Sequence, residues 1–159
     1  PSTFGSAPYR DVASYRVESI LSHEDTLALS DPETYADFYE NMNALRDETV
    51  AFIEQEKAKG KTIWGYGAST KGNTLLQYYG IDETLLDGIA ERQEAKFGLK
   101  TQGSNIPIYS EEEMRAAKPD YLLVLPWHFI DSFVAREQEY LKGGGAFIVP
   151  CPKFEIIRG

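Results

Sequence analysis

Apolar side chains recur every three or four residues over a stretch that begins shortly after residue 30. This spacing predicts a long amphipathic helix, because such positions fall on one face of an α-helix. Asp31 and Pro32 form a typical helix start, and Gly60 is a typical stop. We expect the apolar stripe to face a core, and it consists of Tyr35, Phe38, Met42, Leu45, Thr49, Phe52 and Ile53.

From residue 62 onward, short apolar runs alternate with helical patterns. Ser110 and Glu113 have the spacing of a helix capping box. The alternation is typical of an α/β protein with a doubly wound parallel sheet, in which the first strand is central and a later strand returns to its other side. Strands are predicted over residues 62–67, 86–91, 106–109, 121–125 and 146–150, and helices over 70–79, 111–117 and 131–142.

The first thirty residues have a different composition from the rest. Ser, Pro and Gly dominate the beginning, and a short mixed apolar stretch follows at residues 15–21. We interpret residues 1–30 as an N-terminal arm or linker with one short element of undetermined type. Residues 31–159 then form the main domain.

A glycine-rich turn at residues 65–74 is the first candidate site. A strand, a glycine-rich turn and a helix in succession aim backbone N–H groups at an anion. Lys71 adds a positive charge that the helix dipole disfavours at this end, so a bound anion explains it better than solvation alone. Asn73 and Thr74 either donate to a phosphate or sugar or complete the first helical turn.

The same turn is an incomplete dinucleotide fingerprint. Gly65 and Gly67 fit its beginning, but Thr70 stands where the third glycine belongs. A P-loop is excluded because no Gly-Lys-Ser/Thr follows at the required spacing. Glu91, at the end of the second predicted strand, is well placed for a ribose diol. Binding of NAD is therefore an alternative with limited support.

A second candidate loop follows the strand at residues 121–125. Pro126 ends that strand, and Trp127 and His128 come directly after it. In a doubly wound sheet this loop borders the same crevice as the glycine-rich turn. The two aromatic side chains either line the crevice, or Trp127 covers the end of the sheet while His128 lies on the surface.

Composition narrows the function further. The net charge of −9 argues against a nucleic-acid partner, and no apolar run is long enough to span a membrane. A single cysteine, Cys151, excludes an internal disulfide and fits a cytoplasmic protein, and two histidines give little support for a metal site. No nucleophile–base pair or carboxylate pair stands out, so the chain is better equipped to hold a ligand than to transform it.

Four segments in this order resemble the C-terminal domain of the nucleotide-sugar C-methyltransferases, which act on dTDP-4-keto-deoxysugars and related substrates. The resemblance implies a Rossmann-like domain that binds the nucleotide sugar against a central S-adenosylmethionine (SAM) domain. It also implies that the base and the cofactor residues lie mainly on that central domain, present in cis or in trans. No catalytic residue, cofactor or metal is therefore assigned to this chain. The segments are residues 65–76, 106–109, 125–128 and 144–150.

The resemblance also implies a substrate site, with the first loop facing the nucleotide diphosphate and the second loop opposite. Glu91 stands where family members often have an aspartate, one carbon shorter. The leading hypothesis is a nucleotide-sugar-binding domain that is not catalytic alone, and the alternatives are a small NAD(P)-dependent oxidoreductase or a nucleotide- or CoA-binding regulatory domain. The implied substrate-binding residues are Tyr66, Ala68, Ser69, Lys71, Gly72, Asn73, Thr74, Glu91, Trp127 and His128.

Overall fold

The computed structural model describes the backbone of residues 8–159 and the side chains of residues 12–159. Contacts within the chain divide it into two compact units, residues 1–42 and 43–159.

Helices account for the described part of the first unit. Helix α1 spans Pro8–Thr26, so the arm holds a 19-residue helix rather than the short element predicted. Helix α2 spans Pro32–Ala58 and continues into the second unit. Its start is as predicted, because Asp31 Oδ1 accepts a hydrogen bond of 3.0 Å from the backbone N–H of Glu33.

The apolar stripe of α2 enters a core only in its second half. Tyr35 and Phe38 are exposed, at 57% and 65%, so the prediction that they face a core was wrong. Thr49 and Ile53 are fully buried. A periodic pattern indicates which side chains share a helix face, but it does not indicate how much of that face is covered.

The second unit is built on a six-stranded sheet with the strand order β3-β2-β1-β4-β5-β6. The first five strands are parallel, and β6 pairs antiparallel with β5. The predicted central first strand and the return to its other side are confirmed, whereas β6 was not predicted. The strands are β1 Ile63–Tyr66, β2 Gly88–Glu91, β3 Ile108–Ser110, β4 Tyr121–Val124, β5 Ala146–Val149 and β6 Glu155–Arg158.

The helices that follow the strands begin where local signals place them. The Ser69 hydroxyl caps α3, and Gly80 ends that helix in the left-handed region at φ 68°. Ser110 and Glu113 form the predicted capping box of α4. The single helix predicted over 131–142 is two helices, because Glu137 departs from helical geometry. The helices are α3 Thr70–Tyr79, α4 Glu111–Ala117, α5 Ile130–Arg136 and α6 Gln138–Lys142.

Hydrophobic cores form on both faces of the sheet. All four residues of β4 are buried, as expected for a strand covered on both sides. Tyr121 and Leu123 belong to the core that includes Ile53 of α2. Leu122 and Val124 belong to the other core, which also contains side chains from α4, α5 and α6. Among the described residues, no helix is long and apolar enough to cross a membrane.

Two glycines bring the loop after β1 against the end of β4. Gly67 has φ +85°, and a Cβ atom there would lie 2.8 Å from Cγ of Pro126. Gly72 is buried in α3, and a Cβ atom there would lie 2.5 Å from Cβ of Leu125. The two loops that the sequence predicted to share a crevice are therefore in direct contact.

Replacing Gly72 with Ala should destabilise the protein by about 1–3 kcal/mol. Alanine is the better helix former by about 1 kcal/mol, but its methyl group would overlap a part of Leu125 that cannot rotate away. The measurement is urea unfolding followed by circular dichroism. Thr74→Ala, at an exposed position of the same helix, is the control and should change stability by less than about 0.5 kcal/mol. Equal stability of Gly72→Ala and the wild type would contradict this packing.

Candidate functional site

A cleft of about 310 Å³ opens at the carboxyl ends of β1, β2 and β4. This is the place where the strand order reverses, because β2 and β4 flank β1 on opposite sides. Open α/β sheets bind ligands at such a point. The cleft is lined by Tyr66, Gly67, Ala68, Ser69, Ala90, Glu91, Arg92, Lys96, Glu111, Pro126, Phe129, Phe133 and Arg136.

The ten residues predicted for the site divide into two groups. Four of them line the cleft: Tyr66, Ala68, Ser69 and Glu91. The other six lie beside it without lining it, namely Lys71, Gly72, Asn73, Thr74, Trp127 and His128.

The first turn of α3 occupies several of the predicted polar groups. Ser69 Oγ accepts a hydrogen bond of 3.0 Å from the backbone N–H of Gly72. Thr74 Oγ1 donates over 3.3 Å to the carbonyl of Thr70, so it completes the helical turn. Asn73 differs, because its buried Oδ1 has no hydrogen-bond partner within the described chain.

The remaining three side chains lie at the rim of the loops. Lys71 is exposed, and no ion pair or hydrogen bond engages it within residues 12–159. Trp127 is half-buried and packs against both cores, which covers the end of the sheet. His128 is exposed, and its ring centre lies 4.2 Å from that of Phe129.

Glu91 is held firmly at the end of β2. Its Oε1 accepts hydrogen bonds from the backbone N–H groups of Arg92 and Gln93, at 2.8 and 3.0 Å. Its Oε2 lies 3.3 Å from Nζ of Lys96. Burial opposes ionisation, but the two N–H groups and the ammonium outweigh it, so the pKa of Glu91 lies below its ordinary value. The carboxylate therefore stays charged and fixes the following turn.

A buried network lies at the bottom of the cleft, around the Tyr66 hydroxyl. This hydroxyl donates to Oε1 of Glu137 over 2.7 Å and accepts from Nη2 of Arg136 over 2.7 Å. Arg136 also donates to Glu111, and Arg115 donates to both oxygens of Glu137. Burial, chiefly, raises the pKa of Tyr66 far above its ordinary value. The phenol remains protonated and ties β1 to α4 and α5.

Several cleft residues were absent from the sequence prediction. Phe133 and Arg136 are three residues apart on α5, and Phe129 directly precedes that helix, so the i, i+4, i+7 spacing would have grouped the three residues. Lys96 and Glu111 have no comparable local signal. They reach the cleft through long-range contacts: Lys96 donates to the carbonyl of Ala68, and Glu111 accepts from Arg136.

A second and larger cleft, of about 550 Å³, lies toward the amino ends of β4 and β5. Lys118 and Asp120 line it before β4, and Gly143 to Gly145 line it before β5. Arg136 lines both clefts. Because open α/β sheets bind their ligands at the carboxyl ends of strands, the smaller cleft is the candidate site. Within the described residues, no group of three His, Cys, Asp or Glu side chains is arranged to hold a metal ion.

Comparison with known proteins decides the family. Residues 6–152 match the C-methyltransferase C-terminal domain. The chain belongs to this family. This C-methyltransferase C-terminal domain is also 33% identical over 141 residues to the C-methyltransferase NovU of Streptomyces niveus. The alignment covers 89% of the chain and 34% of NovU, so the chain spans about a third of that relative. The resemblance drawn from the motifs is confirmed at the level of the family.

Replacing Glu137 with Gln should lower the free energy of unfolding by about 2 kcal/mol at pH 7. Glu137 is 2% exposed, and the substitution removes the more deeply buried of the two carboxylates that pair with the Arg115 guanidinium, leaving only Glu111. Urea unfolding measures the change. The control is Glu139→Gln, since the Glu139 side chain is 92% exposed and its ion-pair partner, Lys142, is exposed too. Equal unfolding midpoints for the two variants would contradict a structural role for the buried Glu137 carboxylate.

The Glu137 carboxylate should also contribute to acid sensitivity. Burial raises its pKa, but hydrogen bonds from Arg115 and Tyr66 outweigh burial, so the pKa lies below the ordinary value of 4.5. The stabilisation is present above that value and is lost as the pH falls through the lower, folded-state pKa. Between pH 7 and pH 3, the melting temperature of the wild type should therefore fall more steeply than that of Glu137→Gln. Parallel curves would exclude this contribution.

Proposed function

We propose that this C-methyltransferase C-terminal domain binds the nucleotide sugar of a SAM-dependent sugar C-methyltransferase and is not catalytic alone. The observation that carries the proposal is the cleft at the strand-order reversal, in a chain of this family. The proposed ligand is a small molecule resembling a dTDP-sugar, and the proposed location is the cytoplasm.

The size of the cleft supports a shared site. At about 310 Å³ it is at the lower end of ligand pockets, which span roughly 300–1,000 Å³. It has room for one part of a sugar nucleotide, and the remainder has to lie against another domain. In this proposal the reacting sugar extends out of the cleft, toward the methyltransferase domain.

The charge of the cleft supports an anionic ligand. The chain carries a net charge of −9. In contrast, the cleft is lined by three cations, Arg92, Lys96 and Arg136, and by two carboxylates, Glu91 and Glu111. Because this cleft has more cations than carboxylates while the protein as a whole is acidic, an anion is expected to bind in the cleft rather than elsewhere on the surface.

The predicted residues receive the following roles in the proposal. The loop of residues 66–69 faces the diphosphate, with Lys71 beside it as a mobile charge that approaches the ligand from the rim. Glu91 accepts from the ribose or sugar hydroxyls through the remaining lone pairs of its carboxylate. Trp127 and His128 border the ligand from the second loop, and Gly72, Asn73 and Thr74 support the first.

In this proposal, methyl transfer takes place on a separate methyltransferase domain and not on this chain alone. NovU is about three times as long as the stretch that this chain matches, which leaves room for a methyltransferase domain, in cis or in trans. SAM supplies the methyl group there, and a base on that domain removes the proton from the carbon beside the sugar ketone. We assign no SAM contact to this cleft, because the proposal gives it to the nucleotide sugar.

Isothermal titration calorimetry with dTDP, a dTDP-sugar, SAM, NAD and CoA tests the proposal on the whole 159-residue chain. We expect binding of dTDP and of the dTDP-sugar, and none of the other three ligands. Binding of NAD without dTDP would instead identify a nucleotide-dependent oxidoreductase. Binding of CoA alone would identify a regulatory nucleotide-binding domain.

Replacing Lys71 with Ala should weaken dTDP binding about fivefold, because one exposed charge-assisted contact to phosphate is lost. Calorimetry measures the affinity, and circular dichroism confirms that the fold is retained. Lys153→Ala, at another exposed lysine, is the matched control. An unchanged affinity of Lys71→Ala would remove Lys71 from the site.

A further inference from the structure

The cleft at the carboxyl ends of the strands has an apolar side and a charged side. Pro126, Phe129 and Phe133, from the second loop and α5, are apolar. Glu91, Arg92 and Lys96, from the end of β2 and the turn after it, carry charge. A ligand with a flat apolar part and an anionic part would match both, provided that it lies across the cleft in one direction.

The three cations of the cleft are not equivalent. Lys96 donates to the carbonyl of Ala68 over 2.8 Å and lies 3.3 Å from Oε2 of Glu91. Arg136 donates to the Tyr66 hydroxyl and to Glu111, both over 2.7 Å. These two charges are therefore compensated by groups of the protein.

Arg92 is the uncompensated cation. Its side chain is exposed, and within residues 12–159 its guanidinium forms neither an ion pair nor a hydrogen bond. Its backbone N–H is fixed by Glu91, which determines where the side chain leaves the chain. A guanidinium offers a planar, bidentate donor pair that matches phosphate oxygens.

Phe129, on the apolar side of the cleft, has an exposed aromatic ring. It is 55% exposed even though it lines the cleft, whereas Phe133 beside it is buried. The rings of His128 and Phe133 lie 4.2 and 6.3 Å from it, centre to centre, and limit its position. An aromatic ring held in this way and open to solvent is suited to stack against a nucleobase.

We propose that the ligand lies across the cleft with its nucleobase on Phe129 and its phosphates between residues 67–69 and Arg92. This orientation rests on the proposed nucleotide-sugar function and makes it more specific. Phe129 and Arg92 are then the two residues that distinguish a nucleoside diphosphate from other small molecules. The sugar continues beyond the phosphates, at the open side of the cleft.

The test compares two variants against two ligands, dTDP and thymidine, with affinities from NMR titration. Arg92→Gln should weaken dTDP about tenfold and leave thymidine unchanged, since it loses only a phosphate contact. Phe129→Ala should weaken both ligands by the same factor, about tenfold, since the base is common to them. The matched controls are Lys142→Gln and Leu99→Ala. Lys142 is an exposed cation elsewhere, and Leu99 is 55% exposed like Phe129.

The possible results distinguish an error in the proposed ligand orientation from an error in the proposed function. If the wild type binds dTDP but Arg92→Gln weakens thymidine equally, or Phe129→Ala affects neither ligand, the orientation is wrong and the nucleotide site remains. If the wild type binds no dTDP, the proposed function itself fails. Control variants that lose as much affinity as the test variants would also overturn the assignment.

Discussion

The candidate site depends on one steric constraint, which is the absence of side chains where the loop after β1 and helix α3 meet the end of β4. Gly67 lies against Pro126 and Gly72 lies against Leu125, and a methyl group at either glycine would overlap its neighbour. Because this approach is so close, the two loops that border the strand-order reversal enclose a cleft instead of an open surface. Three of the 16 Lys and Arg side chains of the chain line this small volume.

The buried network at the bottom of the cleft has a second consequence. Glu137 forms an ion pair with Arg115. Glu111 and the Tyr66 hydroxyl accept hydrogen bonds from Arg136. The network holds α4 and α5 to β1, and the guanidinium of Arg92 takes no part in it. Among the three cations that line the cleft, Lys96 and Arg136 are compensated by groups of the protein, whereas Arg92 has no side-chain partner within residues 12–159.

The features of the fold that the sequence predicted correctly are those that depend on a few neighbouring residues. Caps and glycines act over a few residues, so the bounds of α3 and the capping box of α4 were predicted correctly. Contacts between residues far apart in the chain could not be predicted from the sequence. Glu137 interrupts the predicted last helix where its side chain turns toward Tyr66, and Arg136 and Lys96 reach the cleft from distant parts of the chain. The strand β6 was missed because its four residues, Glu155–Arg158, do not alternate between exposed and buried positions. Only the pairing with β5 identifies them as a strand.

We propose above that a nucleoside diphosphate binds at the carboxyl ends of the strands. Backbone NMR of the isotopically labelled chain with added dTDP tests it directly, because amide shifts report the position of a ligand. We expect the largest changes at residues 67–72, 91–96 and 126–130, around the smaller cleft. Changes concentrated at residues 118–120 and 143–145 would place the ligand in the larger cleft and contradict it.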